Sequence, residues 1–108
     1  DLKRIRQEIA ASDVELREII TSRNFVTTFG ELKGDQVKSA PKGYPKDHAA
    51  IDLLRYKQYL VIHKFTDKEV LSPTFAKHVC QVFSEMRPLF DYMSEVLTTD
   101  INGVSLID

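Results

Sequence analysis

The chain has one cysteine, Cys80. That single thiol excludes an internal disulfide and leaves no cysteine-based zinc framework. Long apolar runs are missing too: the strongest, around Leu60 to Ile62, falls far short of the roughly 20 residues that span a bilayer, and no membrane association is expected. No charged segment followed by a hydrophobic stretch opens the sequence, so no signal peptide is read there. A reducing, cytoplasmic setting is the expectation. There is no glycine-rich phosphate loop of the P-loop or dinucleotide type, no internal repeat and no low-complexity tract. Carboxylates are scattered without the paired arrangement that hydrolysis uses. His63 and His78 have no second ligand at metal spacing, so neither a metal site nor a cofactor is implied.

What is present is ordinary globular material: 43% hydrophobic and 29% charged residues over 108 positions. That length fits one modest core, either as a single domain or as the C-terminal portion of a larger one. The net charge of −1 argues against general nucleic-acid binding. It is unevenly placed: net −1 over 1–32, +4 over 33–64 and −4 over 65–108. A basic middle and an acidic end can complement one another within a chain or between two copies. The opening "DLKRIRQEI" already follows helical spacing at Leu2, Ile5 and Ile9, as an excised or processed chain would start.

The spacing predicts a helix from Leu2 to about Ala11. "SDVE" reads as a capping box, Ser12 with Glu15, opening a second helix over Asp13–Arg23 that buries Leu16, Ile19 and Ile20. In "RNFVTTFG" Gly30 ends a short helical piece anchored by Phe25 and Phe29, with a strand as the alternative reading. Residues Gln36–Ala40 read as a short strand ending at Pro41. Asp47 is a good N-cap for a helix over His48–Tyr56. "QYLVIHKF" is the best strand, with Tyr59, Val61, His63 and Phe65 on one face and Leu60, Ile62 and Lys64 on the other. Both faces are expected to be largely covered. "SP" at Ser72 and Pro73 opens a long helix in which Phe75, Val79, Phe83, Met86, Phe90, Met93 and Leu97 recur every three or four residues. The stripe keeps its phase through Pro88, which predicts one kinked helix. "DING" at Asp100–Gly103 ends it, and "VSLID" is a tail. The expected class is therefore α+β: mainly helical, with a small sheet of two or three short strands and a long C-terminal helix kinked near Pro88. Cys80, beside the apolar stripe, is expected to be a buried, inert thiol.

The segments "LKRIRQEI", "FGELKGDQVKSAPKGYPKDHAAIDLLRYKQYLV" and "FSEMRPLFDYM" together resemble the C-terminal half of an uncharacterised family of bacterial and fungal conserved hypothetical proteins carrying a domain of unknown function. P-K-G-Y followed by L-L-R-x-K is the most specific part. Ala49 stands where that family usually has proline after the histidine. The resemblance implies a missing N-terminal half that would share any site, and it implies no reaction.

One stretch, "SAPKGYPKDHAAIDLLRYK" from Ser39 to Lys57, is dense in chemistry. Gly43 and two prolines set a tight loop that a ligand can approach closely. The loop would feed the N-terminus of the expected His48 helix, where an anion is favoured. Lys42 and Lys46 flank it, while His48, Asp52 and Arg55 would share a helix face with Tyr56. These residues form the candidate site for an anionic small molecule bearing a phosphate or carboxylate, against the plainer reading of solvated lysines and an Asp47-capped corner. No serine or cysteine nucleophile is placed beside His48 and Asp52, so catalytic residues are not assigned. Tyr56, Tyr59 and Phe65 among Arg55, Lys57 and Lys64 are better explained by the strand than by single-strand nucleic-acid binding. The sequence thus favours a non-enzymatic interaction portion whose apolar faces await its other half or a second copy. The alternative is a small-molecule module, enzymatic or not, that binds an anionic group.

Overall fold

The computed structural model describes residues 2–99 and Ser105. Six helices follow one another: α1 (Leu2–Ala11), α2 (Val14–Thr21), α3 (Arg23–Phe29), α4 (Ile51–Leu54), α5 (Asp67–Val70) and α6 (Phe75–Thr98). The first three pack against α6, and α4 lies on α1. A core of aliphatic and aromatic side chains joins them. Ile9 of α1, Leu16 of α2, and Phe25 and Phe29 of α3 are buried against Leu89, Tyr92 and Val96 of α6. Leu32, Ala50, Leu53 and Leu54 extend this core beneath the central loop.

The early boundaries follow from local chemistry. Ser22 accepts from the Phe25 N–H and caps α3, which Gly30 closes at φ +76, a conformation glycine adopts without steric cost. The Ser12 capping box does not form. Asp13 is the N-cap of α2 in a helical conformation with no side-chain cap bond, because its carboxylate is held by Arg17 one turn on. The same pattern, unremarked in the sequence, does form at α5, where Thr66 and Glu69 cap each other reciprocally.

The small sheet is not there. Among the described residues the extended pairings are three isolated bridges, Lys33 with Leu60, Gln36 with Tyr56 and Thr99 with Ser105, so the α+β expectation gives way to a mainly helical molecule. Gln36–Ala40 is loop apart from the Gln36 bridge, and so are residues 57–65 apart from the Leu60 bridge. The cause is visible at Gly34. Its φ is +137, and a Cβ there would lie 2.1 Å from the Gln58 carbonyl oxygen. The two chains cross too closely at this point for a regular ladder. The neighbouring backbone groups turn to side chains instead: the Asp35 N–H donates to Gln58 Oε1 at 2.9 Å. Arg55 donates to the carbonyls of Val37 and Lys38, both at 2.9 Å. Four backbone bonds still join the two segments, from the N–H groups of Lys33, Leu60, Lys57 and Val37 to the carbonyls of Leu60, Lys33, Asp35 and Arg55, and side-chain donors and acceptors serve the groups between them.

The expected His48–Tyr56 helix is also shorter. It begins at Ile51, capped by Ala50 rather than Asp47, and lasts four residues. By contrast α6 is one helix of 24 residues running through Pro88, with Thr74 as N-cap in place of Ser72. Pro88 has no N–H to give the Ser84 carbonyl. The expected stop at Asp100–Gly103 and the tail, Ser105 apart, lie outside the described residues.

Candidate functional site

The polar corner, built from the loop upward, is two consecutive turns. The Tyr44 N–H donates to the Pro41 carbonyl at 3.2 Å, and the His48 N–H to the Pro45 carbonyl at 3.1 Å. Gly43 occupies the third position of the first turn at φ +95, where type II geometry calls for glycine. Lys42 and Lys46 hold the second position of each turn and are exposed. The other proposed site residues are engaged elsewhere. His48 Nδ1 accepts from the Ala50 N–H at 3.0 Å, and its ring meets the Tyr44 ring edge-on at 6.1 Å. Asp52 is gripped by both terminal nitrogens of Arg17, at 3.0 and 2.8 Å. That guanidinium holds the Asp52 carboxyl, and Asp13's, below the usual carboxylate range. Arg55 is committed to the Val37 and Lys38 carbonyls. The six residues are neighbours in the chain, yet His48 and Asp52 are not joined.

Two arginines that sequence reasoning passed over complete this wiring. Arg17 joins α2 to α4 through Asp52. Arg6 of α1 donates to the Leu54 and Tyr56 carbonyls, both at 3.0 Å, where the end of α4 leaves acceptors unmet. The signal for Arg6 was its place between Ile5 and Ile9, beside the apolar face of α1. Tyr59 donates to the Leu53 carbonyl at 2.7 Å, and burial pushes its hydroxyl up to about 12.

The second feature is apolar. Leu89, Tyr92 and Val96 form the buried face of α6, and the longer stripe read from the sequence is the adjacent one. Phe83 is 62% exposed and Phe90 64%; Leu97 is exposed too, and Val79, Met86 and Met93 are half-buried. Beside this stripe runs the extended segment 59–65. Val61, His63 and Phe65 line a groove with Val79, Phe83 and Met86. Tyr59, Leu60 and Val61 line its continuation with Met86, Phe90 and Met93. His63 Nδ1 donates to the Thr28 carbonyl at 2.8 Å, since a carbonyl can only accept. Phe65 stacks edge-on with Phe75 at 5.2 Å. These contacts pin the segment to α3 and α6 on one side. On the other side Leu60 and Ile62 stand about half exposed, at 49% and 50%, so the expected two-sided cover is one-sided. The backbone groups of 61–65 make no hydrogen bond to any described residue. Cys80 is exposed rather than buried, because it lies on the open side of α6.

Among the described residues no group of three or more His, Cys, Asp or Glu side chains could hold a metal ion. Among the described residues no helix is long and apolar enough to cross a membrane. A family model described as a conserved hypothetical protein, DUF2461, matches residues 1–92. The chain belongs to that family. The matched span holds both the two-turn corner and the apolar stripe as far as Phe90. No curated protein and no solved structure matches the chain.

Proposed function

We propose that this chain is a structural, interaction-making portion of a larger cytoplasmic domain, without a reaction of its own, and that its α6 stripe and 59–65 segment are a docking face for another polypeptide. The observation that carries this reading is the coincidence of two unmet demands at one place. The stripe exposes two phenylalanines seven residues apart, and the adjacent extended segment has an unpaired backbone edge. Either would be tolerable alone; together they form a contiguous patch of the kind that marks an interaction surface. The chemistry-bearing side chains support the same reading, because Asp52, Arg55 and His48 each serve a neighbouring element. The partner is the N-terminal half of the same protein or a second copy.

The test is a Phe83→Glu/Phe90→Glu double variant. It is expected to lose binding of an environment-sensitive hydrophobic dye while keeping the parent's helical circular dichroism and melting temperature. Loss of the fold would mean these rings are internal packing, and the reading would fall.

The exposed lysines at adjacent turns favour a second reading, a module that binds an anionic small molecule through Lys42, Gly43, Lys46, His48, Asp52 and Arg55. It requires Arg55 and Asp52 to exchange their present partners for the ligand. A rise in melting temperature with added phosphate, absent in Lys42→Ala/Lys46→Ala, would support it; equal behaviour of the two proteins would sink it.

A further inference from the structure

The α6 stripe has a property that selects among occupants. Val79, Phe83, Met86, Phe90, Met93 and Leu97 are spaced 4, 3, 4, 3 and 4, the seam of a two-stranded coiled coil rather than the broader face of a helix on a core. The structure already buries a different face of α6, through Leu89, Tyr92 and Val96. Met86 and Met93 also pack against the core, and the exposed half of the seam, Phe83, Phe90 and Leu97, is surplus to the fold of the single chain.

Resting on the docking-face reading above, we infer that the occupant is a second copy of this chain, with the two α6 helices antiparallel about a two-fold axis near Pro88. In that register Phe83 meets Met93 of the other copy, Met86 meets Phe90 and Val79 meets Leu97. Every layer then combines a larger side chain with a smaller or more pliable one, as even packing requires, and four of the six layers bring a thioether to an aromatic ring. A parallel pairing would instead put phenylalanine on phenylalanine in two layers and methionine on methionine in two others. Antiparallel helices also oppose their dipoles favourably. Pro88, on the side of α6 away from the seam, leaves the seam intact.

Charge and area agree. Of the flanking positions 80, 82, 87, 89, 94 and 96, just Arg87 is charged. In this register Arg87 lies beside Arg87 of the other copy, and Asp91 of the same helix, 3.2 Å from it, offsets the like charge. The chain exposes 7614 Å², against about 6,100 Å² for a compact monomer of this mass. Summed over the whole chain, the excess is large enough to contain the roughly 800 Å² per partner of a standard interface. A radius of gyration of 16.1 Å, against about 13 Å for a compact domain of this length, describes the same open shape.

The native cysteine gives a test of register. In the antiparallel pair Cys80 and its counterpart lie about 24 Å apart along the helices, whereas Cys80 lies beside Ser94 of the other copy. Within one helix Cys80 and Ser94 are about 21 Å apart, beyond a short bis-maleimide. The full 108-residue chain is expected to sediment at twice its 12.4 kDa. Ser94→Cys is expected to cross-link into covalent dimers with that reagent, and the parent is not. Phe83→Glu/Phe90→Glu should sediment at monomer mass with its helical signal retained. Efficient cross-linking of the parent through Cys80 alone would overturn the antiparallel register. A dimer that survives in the double glutamate variant would place the interface elsewhere and overturn the proposal. A monomeric parent that still binds hydrophobic dye at Phe83 and Phe90 would overturn self-pairing while leaving the docking face standing. A monomeric parent without dye binding would remove both.

Discussion

Two regions of this molecule invite opposite readings from their sequence, and the structure ties much of the polar one into the fold while leaving part of the apolar one open. The corner from Ser39 to Lys57 is rich in charge, histidine and glycine, yet its His48, Asp52 and Arg55 side chains are spent on architecture. Arg6, Arg17 and Arg55 tie carbonyls and a carboxylate across three stretches of chain. The late stripe on α6 looks like core from its spacing, yet Phe83 and Phe90 stand in the open. Polar side chains close to unmet backbone groups can satisfy them, so dense polarity in a loop often signals wiring. An apolar stripe can be met equally well by another molecule.

The largest effect that sharpens this comparison lies in the wired region. Gly34→Ala must accommodate both a positive φ and a Cβ against the Gln58 backbone. The expected loss is roughly 3 kcal/mol or more, read by urea denaturation. A near-neutral result would mean the two segments do not cross as closely as described.

The next effect is alkaline. Burial pushes the hydroxyls of Tyr59 and Tyr92 from 10.0 up to about 12. A raised folded-state value favours the fold fully below pH 10 and progressively less as pH rises toward 12, because the unfolded chain ionises first. Melting temperature should therefore fall steeply over that window. Of the four tyrosines, Tyr59 and Tyr92 should ionise late in an absorbance titration of the folded chain, and ordinary titration of both would refute their burial.

Smaller still is Arg6→Ala, which strips donors from the Leu54 and Tyr56 carbonyls at the end of α4. About 2 kcal/mol of destabilisation is expected, and loss of amide protection should be concentrated at residues 54–57. The least effect belongs to the residues that looked most functional. Lys42→Ala and Lys46→Ala sit at exposed turn positions and should each change stability by less than about 0.5 kcal/mol. A larger loss would reveal contacts these lysines do not have here.

How much of this was legible follows from what each signal contains. The α1 helix and the Phe25–Phe29 anchor of α3 were readable because apolar spacing and caps act locally. The long helix was readable as well. Which of its faces is buried was not, because apolar residues fill two adjacent stripes and the spacing cannot rank them. Residues Leu89, Tyr92 and Val96 face a neighbour whose position is a tertiary fact. The sheet was misread because the close crossing at Gly34 leaves isolated bridges, with the side chains of Gln58 and Arg55 taking backbone groups that β-propensity assigns to a ladder. Ser12-x-x-Glu15 and Thr66-x-x-Glu69 make the point in miniature. The pattern is the same, but Arg17 captures Asp13 at the first and no such competitor stands at the second. The candidate anion site suffered similarly: the His48 helix on which its geometry depended begins three residues late.

The most direct measurement compares neighbours on α6. Leu89→Ala and Phe90→Ala, unfolded by urea at the lowest workable protein concentration, separate the buried face from the open one. Leu89 is 5% exposed and Phe90 64%. The account predicts a loss of about 2–5 kcal/mol for the leucine and less than about 0.5 kcal/mol for the phenylalanine. Equal losses, or the larger loss at Phe90, would put the stripe inside the chain's own core and contradict the docking face.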